Sequence, residues 1–222
     1  GPNGAGKTTV FNCISGFYKP TTGGISLGGR PIAGLGSHQV ANHGVVRTFQ
    51  NVRLFKSMTA LENLLVAQHR QGGSGSRIPL LSGLFNTRGY RRAEQQKVDK
   101  ALEWLGIRGL SDMVNREAGN LAYGHQRRLE IARCMITEPR ILMLDEPAAG
   151  LNPQEKKDLS ALIDQLRRQY GVAVLLIEHD MELVMGVSER ILVMEYGKPI
   201  ALDEPAAIRS NERVIKAYLG EV

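Results

Sequence analysis

The 222-residue chain is long enough for one domain, or for one domain carrying a subdomain. A hydrophobic share of 42% and a charged share of 23% are ordinary for a globular protein, and no apolar run reaches the roughly 18 residues that a membrane-spanning helix needs. The net charge of +6 suits an anionic partner such as a nucleotide, a nucleic acid or a membrane surface. Its paired bases Arg127/Arg128, Lys156/Lys157 and Arg167/Arg168 are mixed with acids on helical patterns, however, and are expected as solvated helix faces. No stripe of bases and aromatics suggests single-strand stacking. Cys13 and Cys134 stand alone in apolar helical patterns, without metal-ligand spacing, and read as small buried thiols of a reducing compartment.

In chain order, the first stretch is Gly1-Pro2-Asn3-Gly4-Ala5-Gly6-Lys7-Thr8-Thr9, which fits the phosphate-loop pattern. Its glycines let the backbone curl until several N–H groups face inward, and a helix starting near Lys7 adds its positive end. Lys7 supplies a cation for phosphates and Thr8 a hydroxyl for Mg²⁺. A phosphate loop normally follows a buried strand, and no residue precedes Gly1. The sequence is therefore expected to be a fragment that begins at its own site. An N-terminal targeting peptide stays an open alternative.

The first helix covers 7–15, with Val10, Phe11 and Ile14 inward and Gly16 as its stop. Ile25, Leu27 and Ile32 across Gly28-Gly29 predict a hairpin within 21–33. A strand runs from Val45 to Phe49 and ends at Gln50. Thr59-Ala60-Leu61-Glu62 is a capping box opening a helix with Leu61, Leu64 and Leu65 on one face. Residues 70–89 lack any helical period and read as a flexible insertion. A helix over 90–105 turns Val98, Ala101, Leu102 and Leu105 inward, and 106–120 is loop-rich. Residues 125–137 form a helix with Leu129, Ala132, Met135 and Ile136 inward, ended by Pro139.

Ile141-Leu142-Met143-Leu144 is a continuous apolar run, the mark of a strand buried on both faces of a parallel sheet. Asn152 caps the next helix, with Pro153 first and Glu155 third. Val172 to Ile177 is a second buried strand, and Asp180 caps a short helix. Ile191 to Met194 and Pro199 to Leu202 flank Tyr196-Gly197-Lys198 as a hairpin, and short helical pieces finish the chain. The order predicts an α/β core interrupted by a helical block.

Asp145-Glu146 ends the first apolar strand, at the carboxyl end where parallel sheets bind ligands. There Asp145 is placed to hold Mg²⁺, and Glu146 to polarise a water for attack on a γ-phosphate. His179 follows the second apolar strand and reaches the same crevice as a phosphate sensor. Gln50 ends a third strand, and its amide is a candidate for Mg²⁺ or the attacking water. Leu121-Ala122-Tyr123-Gly124-His125 precedes a helix, a second place where N-terminal amides face a phosphate. Its distance in sequence points to a nucleotide other than the one on Gly1 to Thr9.

Together these residues resemble the nucleotide-binding domain of ABC ATPases. The matching stretches are Gly1 to Thr9 (Walker A), Gln50 (Q-loop), Leu121 to His125 (signature), Ile141 to Glu146 (Walker B), Ala149 to Asn152 (D-loop) and His179 (switch). Longer runs are similar to the branched-chain amino acid transporter ATPases of the LivG type: Val45 to Val66, Asn120 to Met135, Leu142 to Pro153, Leu175 to Met185 and Ala217 to Glu221. The resemblance implies a P-loop NTPase (RecA-like) core with a small antiparallel β subdomain and an inserted α-helical subdomain. The core would take 1–56 and 138–222, with N-terminal strands missing, and the helical subdomain 57–137.

It also implies hydrolysis of ATP with Mg²⁺ by a head-to-tail dimer, Glu146, His179 and Gln50 acting at each site and Thr8, Gln50 and Asp145 near the metal. Leu121, Ala122, Tyr123, Gly124 and His125 would cover the partner's nucleotide in trans. The partners implied are a second ATPase subunit, two transmembrane permease subunits and, indirectly, a periplasmic binding protein, at the cytoplasmic face of the plasma membrane.

The departures are Ala122, Tyr123 and His125 where the signature has Ser, Gly and Gln, and Asn152 where the D-loop has Asp. Ala122 cannot give the hydroxyl hydrogen bond to a trans phosphate, so unequal composite sites are expected. The adenine-stacking aromatic of the family would lie upstream of Gly1, so weak ATP binding by this stretch alone is expected. The alternatives are an ATPase for another solute (urea, amides, lipopolysaccharide) or a non-transport ABC ATPase acting on nucleic acid or ribosomes, which one motif set and the lack of a long heptad run disfavour. A GTPase switch ranks last, since no Asn-Lys-x-Asp occurs.

Overall fold

Three short parallel strands, β3 (Val45–Arg47), β4 (Ile141–Asp145) and β5 (Ala173–Ile177), align their carboxyl ends and so fix where the chemistry sits. The computed structural model describes residues 1–69 and 88–219. The expected insertion at 70–89 falls outside these except for its last two residues, which belong to a helix. The chain divides into two compact units, Gly1–Gln50 with Arg140–Val222, and Asn51–Pro139.

In the first unit, α1 (Lys7–Ile14) is followed by a small hairpin of β1 (Ser26–Leu27) and β2 (Arg30–Pro31), then α2 (Ser37–Asn42) and β3. After β4 come α6 (Pro153–Tyr170), β5, α7 (Met181–Val187), the antiparallel pair β6 (Ile191–Glu195) and β7 (Lys198–Asp203), and the helices α8 (Pro205–Arg209) and α9 (Glu212–Leu219). Gly16 ends α1 at φ +74, and a Cβ there would come within 2.6 Å of the Leu35 carbonyl oxygen, so only glycine fits. Phe11 carries the apolar face of α1 into a cluster with Val40, Val45, Met143 and Ile177. Burying each such side chain is worth about 1.5–3 kcal/mol. A second cluster, Val193, Ile208 and Val214, lies beneath β6 and the last helices.

The second unit holds α3 (Ala60–His69), α4 (Arg88–Ile107) and α5 (Tyr123–Met135), which pack on one another and carry the buried Leu64, Leu105, Leu129 and Met135, all 2% exposed or less. Thr59 and Glu62 cap α3 reciprocally: Thr59 N donates to Glu62 Oε2 (2.7 Å) and Glu62 N to Thr59 Oγ1 (3.2 Å). The buried Asn63 braces the turn before that helix. It accepts from Phe55 N and donates to the carbonyls of Phe55, Met58 and Thr59.

Several expectations shift. The third strand stops at Arg47, with only Thr48 N continuing onto the Met143 carbonyl (2.9 Å), and Gln50 lies three residues past its end. β5 is not buried on both faces, since Ala173 and Leu175 are exposed. Among the described residues it pairs with β4 alone, and an apolar cavity of about 550 Å³, bounded by Leu175, Leu176, Leu192 and Val193, lies against it. In α4, Trp104 takes the inward place and Leu102 is 40% exposed.

α5 starts at Tyr123, and Arg127 is no solvated base. It is 3% exposed and paired with the equally buried Glu130 at 2.7 Å, an i,i+3 contact that the helix itself sets up. Neither Cys13 nor Cys134 is fully buried. Desolvation, aided by Glu130, nevertheless pushes the Cys134 thiol up to about 12.

Candidate active site

Gly4 (φ +79) and Gly6 (φ +92) take the left-handed backbone that lets the loop fold back over the start of α1, with Gly6 as the helix N-cap. Neither a side-chain cap nor an acid occupies this helix start. Lys7 Nζ donates to the carbonyls of Gly1 (2.7 Å) and Pro2 (2.9 Å), which arches the side chain over the loop. The β6–β7 turn supports the loop from the other side through Gly197 N and the Ala5 carbonyl (3.1 Å). Ala5 is buried, while Asn3, Gly4, Thr8 and Thr9 are exposed to whatever binds there. A loop of this form is an anion cradle.

The aligned strand ends bring together three residues far apart in sequence. Gln50 Nε2 donates to Glu146 Oε2 at 2.9 Å, and His179 Nδ1 stands 4.0 Å from Glu146 Oε1. Glu146 adopts φ +46, a left-handed backbone uncommon for a side-chain-bearing residue, while its N–H donates to the Ile177 carbonyl (2.9 Å). The His179 side chain is 65% exposed, so the imidazole is open to a ligand.

Asp145 sits one residue deeper and is 6% exposed. Its Oδ2 accepts from Arg47 Nη2 at 2.5 Å. Arg47 also donates to Asn12 Oδ1 (2.6 Å) on α1 and lies 5.3 Å from the centroids of both Phe11 and Phe49. One guanidinium thus ties α1, β3 and β4 together, a role its place in an apolar strand hinted at and no motif named. A buried pair of this kind positions more than it stabilises, and removing one partner costs about 3–5 kcal/mol.

Among the described residues no cluster of three His, Cys, Asp or Glu could hold a metal. Thr8, Gln50 and Asp145 carry a hydroxyl, an amide and a carboxylate, the last of them paired with Arg47. These hard oxygen donors suit Mg²⁺, which commonly takes one or two carboxylates and completes its shell with phosphates and water.

Sequence reasoning also missed Glu178. Its side chain is 1% exposed, and Oε1 accepts from Ala148 N at 2.7 Å. The only signal was an acid directly after an apolar strand. Beside it, Lys156 Nζ donates to Asp180 Oδ2 (2.6 Å), and Asp180 Oδ1 caps α7 through Leu183 N (3.1 Å). The Lys156 hydrogen bond, then that of Leu183, holds the Asp180 carboxyl below its usual range.

In the second unit, Leu121 is buried and its carbonyl accepts from Gln126 Nε2 (2.8 Å). Ala122 is the N-cap of α5, again without a side-chain cap or an acid in the first turn. Tyr123 is 44% exposed, and Gly124 and His125 are half-buried.

The family described as ABC transporter matches residues 1–149, two thirds of the chain. The chain belongs to the ABC transporter family. A second family, the branched-chain amino acid ATP-binding cassette transporter, matches residues 198–222. The chain is 62% identical over 221 residues to the high-affinity branched-chain amino acid transport ATP-binding protein BraF of Pseudomonas aeruginosa, covering 100% of itself and 85% of that protein. It is 60% identical, with the same coverage, to the corresponding protein LivG of Escherichia coli K12. Its fold is similar to the ADP conformation of MJ1267, an ATP-binding cassette of an ABC transporter, with a TM-score of 0.81, 34% identity, and 99% and 85% of the two chains covered. As a cassette of this family the protein hydrolyses ATP. Among the described residues no helix is long and apolar enough to cross a membrane.

Proposed function

We propose that this cassette drives transport of branched-chain amino acids, working as one of two ATPase subunits beneath two membrane permease subunits at the inner face of the plasma membrane. The observation that supports the substrate is the 62% identity to BraF over the whole chain, together with the match of residues 198–222 to a branched-chain family. The motor reading rests on the convergence of Gln50, Glu146 and His179 at the ends of parallel strands in a chain that opens on a phosphate loop.

In this reading Gly1 to Thr9 hold the phosphates of ATP, with backbone N–H groups, Lys7 and the start of α1 meeting their charge. Glu146 takes a proton from the water that attacks the γ-phosphorus, and the bond to the β–γ bridging oxygen breaks. Gln50, hydrogen-bonded to that carboxylate, orients the water, and the exposed imidazole of His179 donates to the γ-phosphate. Mg²⁺, when bound through Thr8, Asp145 and Gln50, offsets phosphate charge. Leu121 to His125 meet the nucleotide of a second cassette, and residues near 57–137 form the helical subdomain that faces the permeases.

Two measurements test the reading. Glu146→Gln is expected to lower ATP turnover by about 10²–10⁴-fold, the usual worth of a positioned base, while nucleotide still binds; unchanged turnover removes Glu146 from this role. Cells expressing the protein with its membrane subunits are expected to take up labelled leucine in preference to urea. Uptake of urea alone would replace the substrate and keep the motor.

A further inference from the structure

We propose that Glu178 is a positioning residue for hydrolysis, a buried carboxylate that holds the turn after β4 and the backbone of His179 as one piece. The proposal rests on the reading of Glu146 and His179 as groups at the reacting phosphate. Glu178 follows the last residue of β5, which pairs with Asp145 of β4. Its Oε1 accepts from Ala148 N at 2.7 Å and its Oε2 from His179 N at 3.1 Å, with Asp180 N 3.4 Å away. Ala148 is two residues beyond Glu146 and is 4% exposed. The carboxylate therefore spans the two loops that carry the proposed base and the proposed phosphate sensor.

The chemistry requires a carboxylate at this place. A desolvated acid is costly unless its oxygens are met by donors, and charge-assisted hydrogen bonds to backbone N–H groups are strong ones. A glutamine of the same shape has a single acceptor oxygen. Its NH₂ would face either Ala148 N–H or His179 N–H, so one loop is released whichever way the amide turns. The neighbouring Lys156–Asp180 pair anchors the far side of the same segment from α6, while the Ala148 N–H, two residues past the Glu146–Ile177 backbone bond, is held by Glu178.

Glu178→Gln and Glu178→Ala in the full chain are tested by ATP turnover beside Glu146→Gln. The expected kcat falls about tenfold for Gln and about a hundredfold for Ala, the range for losing one and then both charge-assisted bonds, with the KM for ATP within twofold of the parent. In a double-mutant cycle, Glu178→Gln adds less than twofold to the loss caused by Glu146→Gln, because the carboxylate acts through the loop that carries the base. Glu178→Gln is isosteric and carries the test alone if Glu178→Ala does not fold. Losses that multiply in the cycle, a kcat for Glu178→Gln within twofold of the parent, or a KM that rises in step with the fall in kcat each overturn the proposal. Full turnover in Glu146→Gln overturns the reading of the site and this inference with it. An inactive Glu146→Gln beside a fully active Glu178→Gln removes Glu178 alone.

Discussion

Six helix starts of this protein fall into two kinds. α3, α6, α7 and α9 open behind Thr59, Asn152, Asp180 and Asn211, each of which accepts from a backbone N–H of its own first turn. α1 and α5 open behind Gly6 and Ala122, with neither a side-chain cap nor an acid in the first turn. Capping is worth about 1 kcal/mol per helix, so leaving it out costs stability. Both of these starts are stretches read as phosphate-binding; the short helices α2 and α8 also open without a side-chain cap, but at α2 the Gly36 N–H is met by Gln39 and at α8 a proline takes the first position. An internal cap would use the N–H groups that a phosphate needs, and an acid would cancel the positive end of the helix. A helix end that completes its own hydrogen bonds is closed to a ligand, while one that does not is left open to one.

Breaking that contrast should cost most at α1. Lys7→Ala is expected to weaken ATP binding by at least about tenfold, the loss of a charge-assisted hydrogen bond, as read by titration with a fluorescent ATP analogue. At α5 the contrast can be inverted. Ala122→Asp installs a cap and an acid, and should raise helix stability by about 1 kcal/mol while lowering ATP turnover. Activity and stability moving up together would show that α5 meets no phosphate. Thr59→Ala removes a cap from a closed helix. It should lower the denaturant midpoint by the equivalent of about 1 kcal/mol and leave turnover per folded molecule unchanged.

The smallest effect is at α7. The folded Asp180 carboxyl lies below its ordinary 3.8 because Lys156 and then Leu183 N–H hydrogen-bond to it. A depressed folded value means the contribution is complete above 3.8 and disappears as pH falls through the lower, folded value. Thermal unfolding of the parent and of Asp180→Asn should therefore differ at neutral pH and converge below 3.8.

Local patterns were legible in the sequence because their physics is local. The Asn152–Glu155 box, the apolar run of β4 and the Tyr196-Gly197 turn all depend on residues a few positions apart. Gln50, Glu146 and His179 were named one by one from strand ends, and the parallel register was needed to bring Gln50 against Glu146. The Arg47–Asp145 pair spans 98 positions. No periodicity carries such a contact, so Arg47 was passed over as a strand residue. Arg127 illustrates a different loss. Its i,i+3 partner Glu130 was visible, but a charge pattern looks the same on a buried face and a wet one until packing decides between them. Leu175 failed in the opposite sense, since an apolar run says nothing about whether neighbours cover both faces.

The left-handed backbone at Glu146 has a consequence for anyone engineering this cassette. Holding a glutamate at φ +46 costs on the order of 1–2 kcal/mol that asparagine or glycine would largely avoid. A library sorted only for heat resistance will thus tend to enrich inert proteins at this position. Selection for robustness and selection for turnover point in opposite directions there, and a screen of this protein needs both readouts at once.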